Sequence, residues 1–267
     1  MSDIFEILDG TPDDNFYLTL NEESTYIDVF CDGYYVRVYT NNSGIGLYNN
    51  SDVVMAYLGS GFIYEGSFYY KLTLDSNKTI EIIEDTPTRV RIRIVGNLYE
   101  NGTPGYLANS DNIEIIYTFY ADRFTTDIKH VTSGTITIGT ISQHCIDLEP
   151  SAANLTNEVV ITESSGSEIT TTGDRTVSDY YGIKSDEINI HVIVLDHDEQ
   201  GATFISYVNS ASQLSSGYST ATDLTAGTHT FSALFIIDSQ EREYGQKKYT
   251  ETERLEMGEQ YKDLFIS

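Results

Sequence analysis

Apolar and polar residues alternate with a period of two along most of this chain. The clearest case is Thr88 to Val95, where Val90, Ile92 and Ile94 fall on one side and Arg89, Arg91 and Arg93 on the other. That pattern predicts a half-buried strand. Similar short runs, rich in β-branched and aromatic residues, predict strands at Phe16 to Leu20, Tyr26 to Phe30, Tyr34 to Tyr39, Val53 to Leu58, Ser67 to Leu74 and Thr79 to Ile83. They continue through Ile113 to Ala121, Phe124 to Val131, Thr135 to Ile141, Glu158 to Ile161, Ile188 to Leu195, Ala202 to Val208 and Thr228 to Ile237. The turns between them carry residues that tolerate positive φ, as in Cys31-Asp32-Gly33 and Asn41-Asn42-Ser43-Gly44. Close spacing of strand and turn predicts antiparallel pairing.

Val192 to Leu195 is continuously apolar, which predicts a strand covered on both faces and hence a second layer. The fold class expected is all-β: an antiparallel β-sandwich or supersandwich with a short C-terminal helix. The helix expectation rests on Thr250 with Glu253 as a capping box, followed by a stripe of Met257, Tyr261, Leu264 and Phe265. Residues 1–249 are then one sandwich domain and 250–267 a helix and tail whose stripe is an interface for a neighbouring subunit. The polar stretch Glu163 to Asp179 is expected to be a loop or an internal boundary.

Composition narrows the partners. The 267 residues carry 41 acids against 15 Lys and Arg, a formal charge of −26, with 40% hydrophobic residues. Enough apolar material is present for a core, so the acidity belongs to a folded surface. A surface of this sign repels phosphate and anionic lipid, and no apolar run is long enough for a membrane helix. Nucleic acid and membrane insertion are therefore not expected. The acidity fits either a high-salt environment or a virion or cell-surface assembly. Residues 1–10 contain Asp3, Glu6 and Asp9 and lack the pattern of a secretory signal. Cys31 and Cys145 have no metal-ligand spacing; two buried thiols are preferred over one disulfide, since a core of this size needs no staple.

Candidate chemistry is sparse, and each candidate has a structural counterpart. Arg89, Arg91 and Arg93 are three of eight arginines and share one strand face, where they either capture a ligand carboxylate or pair with acids such as Glu114 or Asp127. Tyrosine is abundant, 21 residues with no tryptophan, which suits sugar stacking or subunit contacts; Tyr120 joins the arginines as a ligand-binding candidate. For an acid/base centre the candidates are Arg91, Tyr117, His130 and His144. Asp196 and Asp198 open a run with a calcium-loop look, read first as a solvated hairpin turn and second as a calcium site. No phosphate-binding glycine loop, nucleophile elbow or CxxC motif is present.

Three segments together resemble the supersandwich of galactose mutarotase-like proteins and several polysaccharide lyases. They are Glu84 to Gly96, with an acidic turn, a proline and the alternating arginine strand; Ile113 to His130, a long hairpin; and Thr225-Ala226-Gly227-Thr228-His229-Thr230-Phe231 before the last strand. The resemblance implies the fold over about half the chain. For activity it implies a His and Glu acid/base pair, or Tyr or His with a basic residue that neutralises a uronate; here only Arg91, Tyr117, His130 and His144 match in residue type. Two functions follow as expectations. The first is a non-enzymatic β-sandwich module of a virion or surface assembly that contacts glycans and forms homo-oligomers. The second is a carbohydrate-active enzyme, lyase-like or epimerase-like, acting on an acidic sugar. Neither requires a cofactor other than the candidate calcium.

Overall fold

The computed structural model describes residues 18–40, 45–49, 51–52, 54–59, 62–65, 68–100, 105–137, 140–142, 145–147, 160–163, 168–169, 173–177, 180–184, 188–197, 203–208, 214–219 and 223–239. Strands β1 to β5 are Thr19–Glu22, Tyr26–Cys31, Tyr34–Tyr39, Ile45–Asn49 and Val54–Gly59. Next come β6 Phe62–Glu65, β7 Phe68–Lys71, a 3-10 turn at Leu72–Leu74, β8 Thr79–Thr86, β9 Arg89–Gly96, β10 Tyr99–Glu100, β11 Ser110–Phe119 and β12 Arg123–Thr132. The chain continues with β13 Thr140–Ser142, β14 Cys145–Asp147, β15 Val160–Glu163, β16 Glu168–Ile169, β17 Gly173–Val177 and β18 Tyr180–Lys184. It ends with β19 Ile188–His197, β20 Thr203–Val208, β21 Leu214–Ser219 and β22 Gly227–Ser239.

Every strand pairing is antiparallel among the described residues. Nine strands form the main sheet, in the order β16-β15-β18-β19-β22-β12-β11-β9-β8, and six form the second, β1-β2-β3-β4-β5-β14. Smaller sheets are β10-β7-β6-β13 and β17-β20-β21, with β21 lying against β13 and β14. Alternation decides what each large sheet buries. From the six-stranded sheet come Ile27, Val29, Val36, Val38, Ile45 and Leu47; from the nine-stranded sheet come Val90, Ile92, Ile115, Tyr117, Phe124, Ile128 and Phe231, and all belong to one apolar cluster. Phe124 and Phe235 stack across β12 and β22 with ring centroids 4.6 Å apart.

Two buried carboxylates tie the sheets' margins. Asp75 follows the 3-10 turn and is buried; its Oδ1 accepts the Asn77 N–H and its Oδ2 the Asn97 N–H, both at 2.8 Å. Gly96 permits this approach, since a Cβ there would lie 2.8 Å from Leu72 Cδ1 and 2.9 Å from Asp75 Oδ2. On the outer face of the six-stranded sheet, Asp28 and Arg37 are register partners and bond bidentately at 2.7 and 2.8 Å. The guanidinium lies over the rings of Tyr26, Tyr48 and Tyr35, at 4.1, 5.0 and 5.4 Å from their centroids. Tyr35 stacks on Tyr48 at 4.8 Å. Gly46, opposite Arg37, leaves room for Tyr48, whose ring carbon would stand 2.6 Å from a Cβ at that position. Cys31 is buried, with Sγ 3.8 Å from the Val29 carbonyl.

Several expected elements shift. The first strand starts at Thr19, and Thr135 to Ile141 is not one strand: Ile136 bridges Leu224, and β13 begins only at Thr140. The Glu163 to Asp179 stretch contains β16 and β17, because β15 and β20 supply partners that local composition does not reveal. Asp196 lies within β19 and not in a hairpin turn; it pairs with Ser232 across a bulge after Val194. The stripe Met257, Tyr261, Leu264 and Phe265 lies outside the described residues, as does the helix expected from Thr250.

The edge strand β8 carries Glu81, Glu84 and Asp85 and a bulge between Ile82 and Glu84, devices that oppose edge-to-edge pairing. Two stability predictions follow from the buried carboxylates. Asp75→Ala leaves the Asn77 and Asn97 amides without their acceptor and is expected to cost about 2–4 kcal/mol in urea unfolding, with an unchanged m-value. Asp28→Ala strands the Arg37 guanidinium and is expected to cost about 3–5 kcal/mol, whereas Asp28→Leu with Arg37→Met recovers most of that loss. Both are read from denaturation midpoints; equal losses in the single and double variants would contradict the pairing argument.

Candidate functional site

The face of the nine-stranded sheet turned away from the apolar cluster gathers the arginine row. In β9 the odd positions Arg89, Arg91 and Arg93 alternate with buried Val90, Ile92 and Ile94, as the sequence predicts. Two of the three are held by acids. Arg89 Nε donates to Glu84 Oε1 at 2.8 Å, which with burial's opposing effect leaves its pKa raised. Arg93 Nε donates to Glu114 Oε2 at 2.6 Å, and its Nη1 lies 3.8 Å from Glu81. Pairing with Glu114 is the structural alternative read from the sequence. Arg91 differs: among the described residues, no carboxylate oxygen lies within 4.0 Å of its guanidinium.

Asp127 shares this surface with Arg91, two strands away with β11 between them. Register places Arg93, Ile116, Asp127 and Ser232 in one row across β9, β11, β12 and β22, with the Asp196 backbone opposite Ser232 in β19. Arg91, Thr118, Thr125 and Leu234 form the adjacent row. Ser232 Oγ donates to Asp127 Oδ1 at 2.7 Å. Burial pushes the Asp127 carboxyl above the usual carboxylate range, while Ser232, the Arg91 charge and Thr125 pull it back. The face is closed over Leu234, Ile236, Thr125 and Arg123, which are buried, and open at Arg89, Lys129, Thr228 and Thr230. Arg91 and Asp127 occupy the border between these zones, half-buried. Such a border offers a ligand both partial desolvation and an approach from solvent.

Tyr120 sits at the hairpin end of this face. Its N–H donates to the Arg123 carbonyl at 2.8 Å, and its ring centroid lies 5.4 Å from the Arg123 guanidinium. Arg123 is buried and also pairs with Asp122 at 3.0 Å.

The residues proposed for an acid/base groove do not converge. Tyr117 pairs with Ile92 and His130 with Ile113, positions on the core face, and both side chains are buried. Arg91 projects from the opposite face, so the sheet itself separates it from them. His144 and Asp198 lie outside the described residues. Among the described residues no three His, Cys, Asp or Glu side chains gather closely enough for a metal ion. Nothing in the sequence marks Asp127, Ser232 or Arg123 as ligand groups, because the β12–β22 register joins residues about a hundred positions apart. No helix among the described residues is long and apolar enough to cross a membrane.

Comparison with known proteins gives the fold a context. No family model matches the sequence, and no curated protein matches it. Among solved structures, a galactose mutarotase-like protein from Clostridium acetobutylicum superposes with a TM-score of 0.51 at 10% identity, covering 85% of this chain and 100% of that one. A putative aldose 1-epimerase from Escherichia coli gives 0.41 at 8% identity, covering 83% of this chain and 99% of that one. The heparan sulfate lyase HepC from Pedobacter heparinus, in a mutant form, gives 0.48 at 9% identity, covering 91% of this chain; the chain spans 39% of that enzyme's length. At these identities the likeness concerns architecture, and the architecture is the galactose mutarotase-like supersandwich over most of the chain.

Proposed function

We propose that the protein binds a carbohydrate bearing a carboxylate on the second face of the nine-stranded sheet, with Arg91 as its anchor. The observation that carries this reading is the contrast within the arginine row: Arg89 and Arg93 are engaged by Glu84 and Glu114, while Arg91 keeps its fork for an external acid. Asp127, two strands from Arg91 on the same face, and Ser232, hydrogen-bonded to Asp127, supply groups that hydrogen-bond sugar hydroxyls. Solved structures of the same architecture include proteins named as mutarotase-like, epimerase and lyase, which supports the ligand class by analogy of fold. The −26 charge opposes an acidic ligand at long range, but beyond about 8 Å at physiological salt that repulsion is screened, whereas the Arg91 contact is local.

Binding without turnover defines a non-enzymatic glycan-contacting module. Turnover with the same Arg91 dependence defines a carbohydrate-active enzyme, with Asp127 as a titratable group on the same face.

The test is calorimetric titration of uronate-containing oligosaccharides and their neutral counterparts against wild type and Arg91→Ala, followed by NMR inspection of the sugars for chemical change. Acidic ligands are expected to bind wild type, and Arg91→Ala is expected to lose about tenfold or more in affinity, the worth of one charge-assisted bidentate contact, with an unchanged melting temperature. Equal binding of neutral and acidic sugars, or full affinity in Arg91→Ala, would contradict the assignment.

A further inference from the structure

The core face holds a pair of buried imidazoles that the proposed carbohydrate site does not use. His130 in β12 and His229 in β22 are direct register partners, and both are buried. His130 Nε2 lies 2.8 Å from Ser110 Oγ, while its Nδ1 has no hydrogen-bond partner among the described residues. His229 Nε2 lies 2.9 Å from the Thr225 carbonyl, which only accepts, so Nε2 carries the proton. Thr132 completes the arrangement: its Oγ1 donates to the Thr225 carbonyl at 2.6 Å and accepts the Gly227 N–H at 3.1 Å.

These bonds fasten the corner 224–227 onto the end of β12. The corner in turn holds the bridge between Leu224 and Ile136, in which each N–H donates to the other's carbonyl, at 3.0 and 2.8 Å. Leu224 and Ile136 are buried members of the apolar cluster. Releasing the corner therefore uncovers one end of the sandwich.

We infer that His130, packed against His229, forms an acid-sensitive latch, closed while the His130 imidazole is neutral, which frees the 224–227 corner when the medium acidifies. Two structural facts support it. A proton added to His130 would need a second N–H acceptor at Nδ1, and no described residue supplies one. A charge on either ring would stand beside the other ring across one strand pair. The charged or titratable groups that act on His130 are His229 from β22, which opposes its protonation, and Asp111 from β11, which favours it. Asp111 itself accepts a hydrogen bond from Ser133 Oγ at 2.7 Å.

Burial first, and His229 second, lower the His130 pKa from 6.5 to about 4. The sign follows from linkage. The closed state keeps His130 neutral down to about pH 4, whereas the opened state takes up a proton near pH 6.5. Closure is thus fully favoured above about pH 6.5 and weakens as pH falls from there towards 4, by roughly tenfold per unit for this one histidine.

Hydrogen exchange on the full chain tests the latch, with rates corrected for their intrinsic pH dependence. From pH 7 to pH 5, opening measured at the amides of Ile136, Leu224 and Gly227 is expected to rise about twentyfold for the His130 contribution alone. Interior amides of β9 and β11 serve as the reference and are expected to change far less. In His130→Gln and in the double variant with His229→Gln, most of that pH dependence is expected to vanish. Constant protection in wild type, or an undiminished rise in the folded variants, would overturn the inference. Should the variants fail to fold, NMR titration of wild-type imidazoles decides: a ring still neutral at pH 5 supports the latch, and five rings titrating near 6.5 overturn it.

Discussion

The nine-stranded sheet depends on one constraint: successive side chains in a strand point to opposite faces, so register decides which chemistry meets the core. Across β9, β11, β12 and β22, one parity delivers Ile92, Tyr117, Thr126 and Ala233 to the apolar cluster side, and the other delivers Arg91, Thr118, Thr125 and Leu234 to the second face. A slip of one residue would drive the arginines of β9 or Arg123 of β12 into the core, and in β11 it would do the same to Glu114. Burying an unpaired charge there costs several kcal/mol, so the register is fixed by the whole set together.

The same constraint sorts the polar groups by role. On the core face polar residues are buried; Thr132 is satisfied between the Thr225 carbonyl and the Gly227 amide, whereas His130 Nδ1 has no partner among the described residues. On the second face they line a border between covered and open surface, where Arg91 and Asp127 keep contact with solvent. The outer face of the six-stranded sheet follows a third pattern, in which tyrosine rings shield the Asp28–Arg37 pair from water. Tyr35 illustrates that shielding: burial, then its hydrogen bond to Asp52, pushes the phenol's pKa well up.

Much of the fold was legible in the sequence because alternation is a local signal. The β9 pattern predicted both the buried Val90, Ile92 and Ile94 and the row of arginines, and residue chemistry alone foresaw Glu114 as a partner. Long-range pairing was not legible. Nothing near His130 announces His229 as its neighbour, and nothing near Asp127 announces Ser232. The face on which Tyr117 and His130 stand depends on which parity of β11 and β12 meets the second sheet. In Ile-Tyr-Thr-Phe-Tyr both parities are rich in apolar atoms, so periodicity does not choose between them. Asp75 escaped notice for a different reason: its acceptors serve backbone amides, which carry no mark in a sequence.

Ile115 and Ile116 are adjacent in β11 and chemically identical, yet only Ile115 belongs to the apolar cluster, while Ile116 pairs with Arg93 and Asp127. Methyl NOE spectroscopy with assigned isoleucine, leucine and valine probes therefore tests the two-faced sheet most directly. Ile115 is expected to join the network formed by Ile92, Ile128, Val36 and Leu47, and Ile116 to stay outside it. The reverse assignment, Ile116 inside and Ile115 outside, would contradict the register on which both the carbohydrate site and the histidine latch rest.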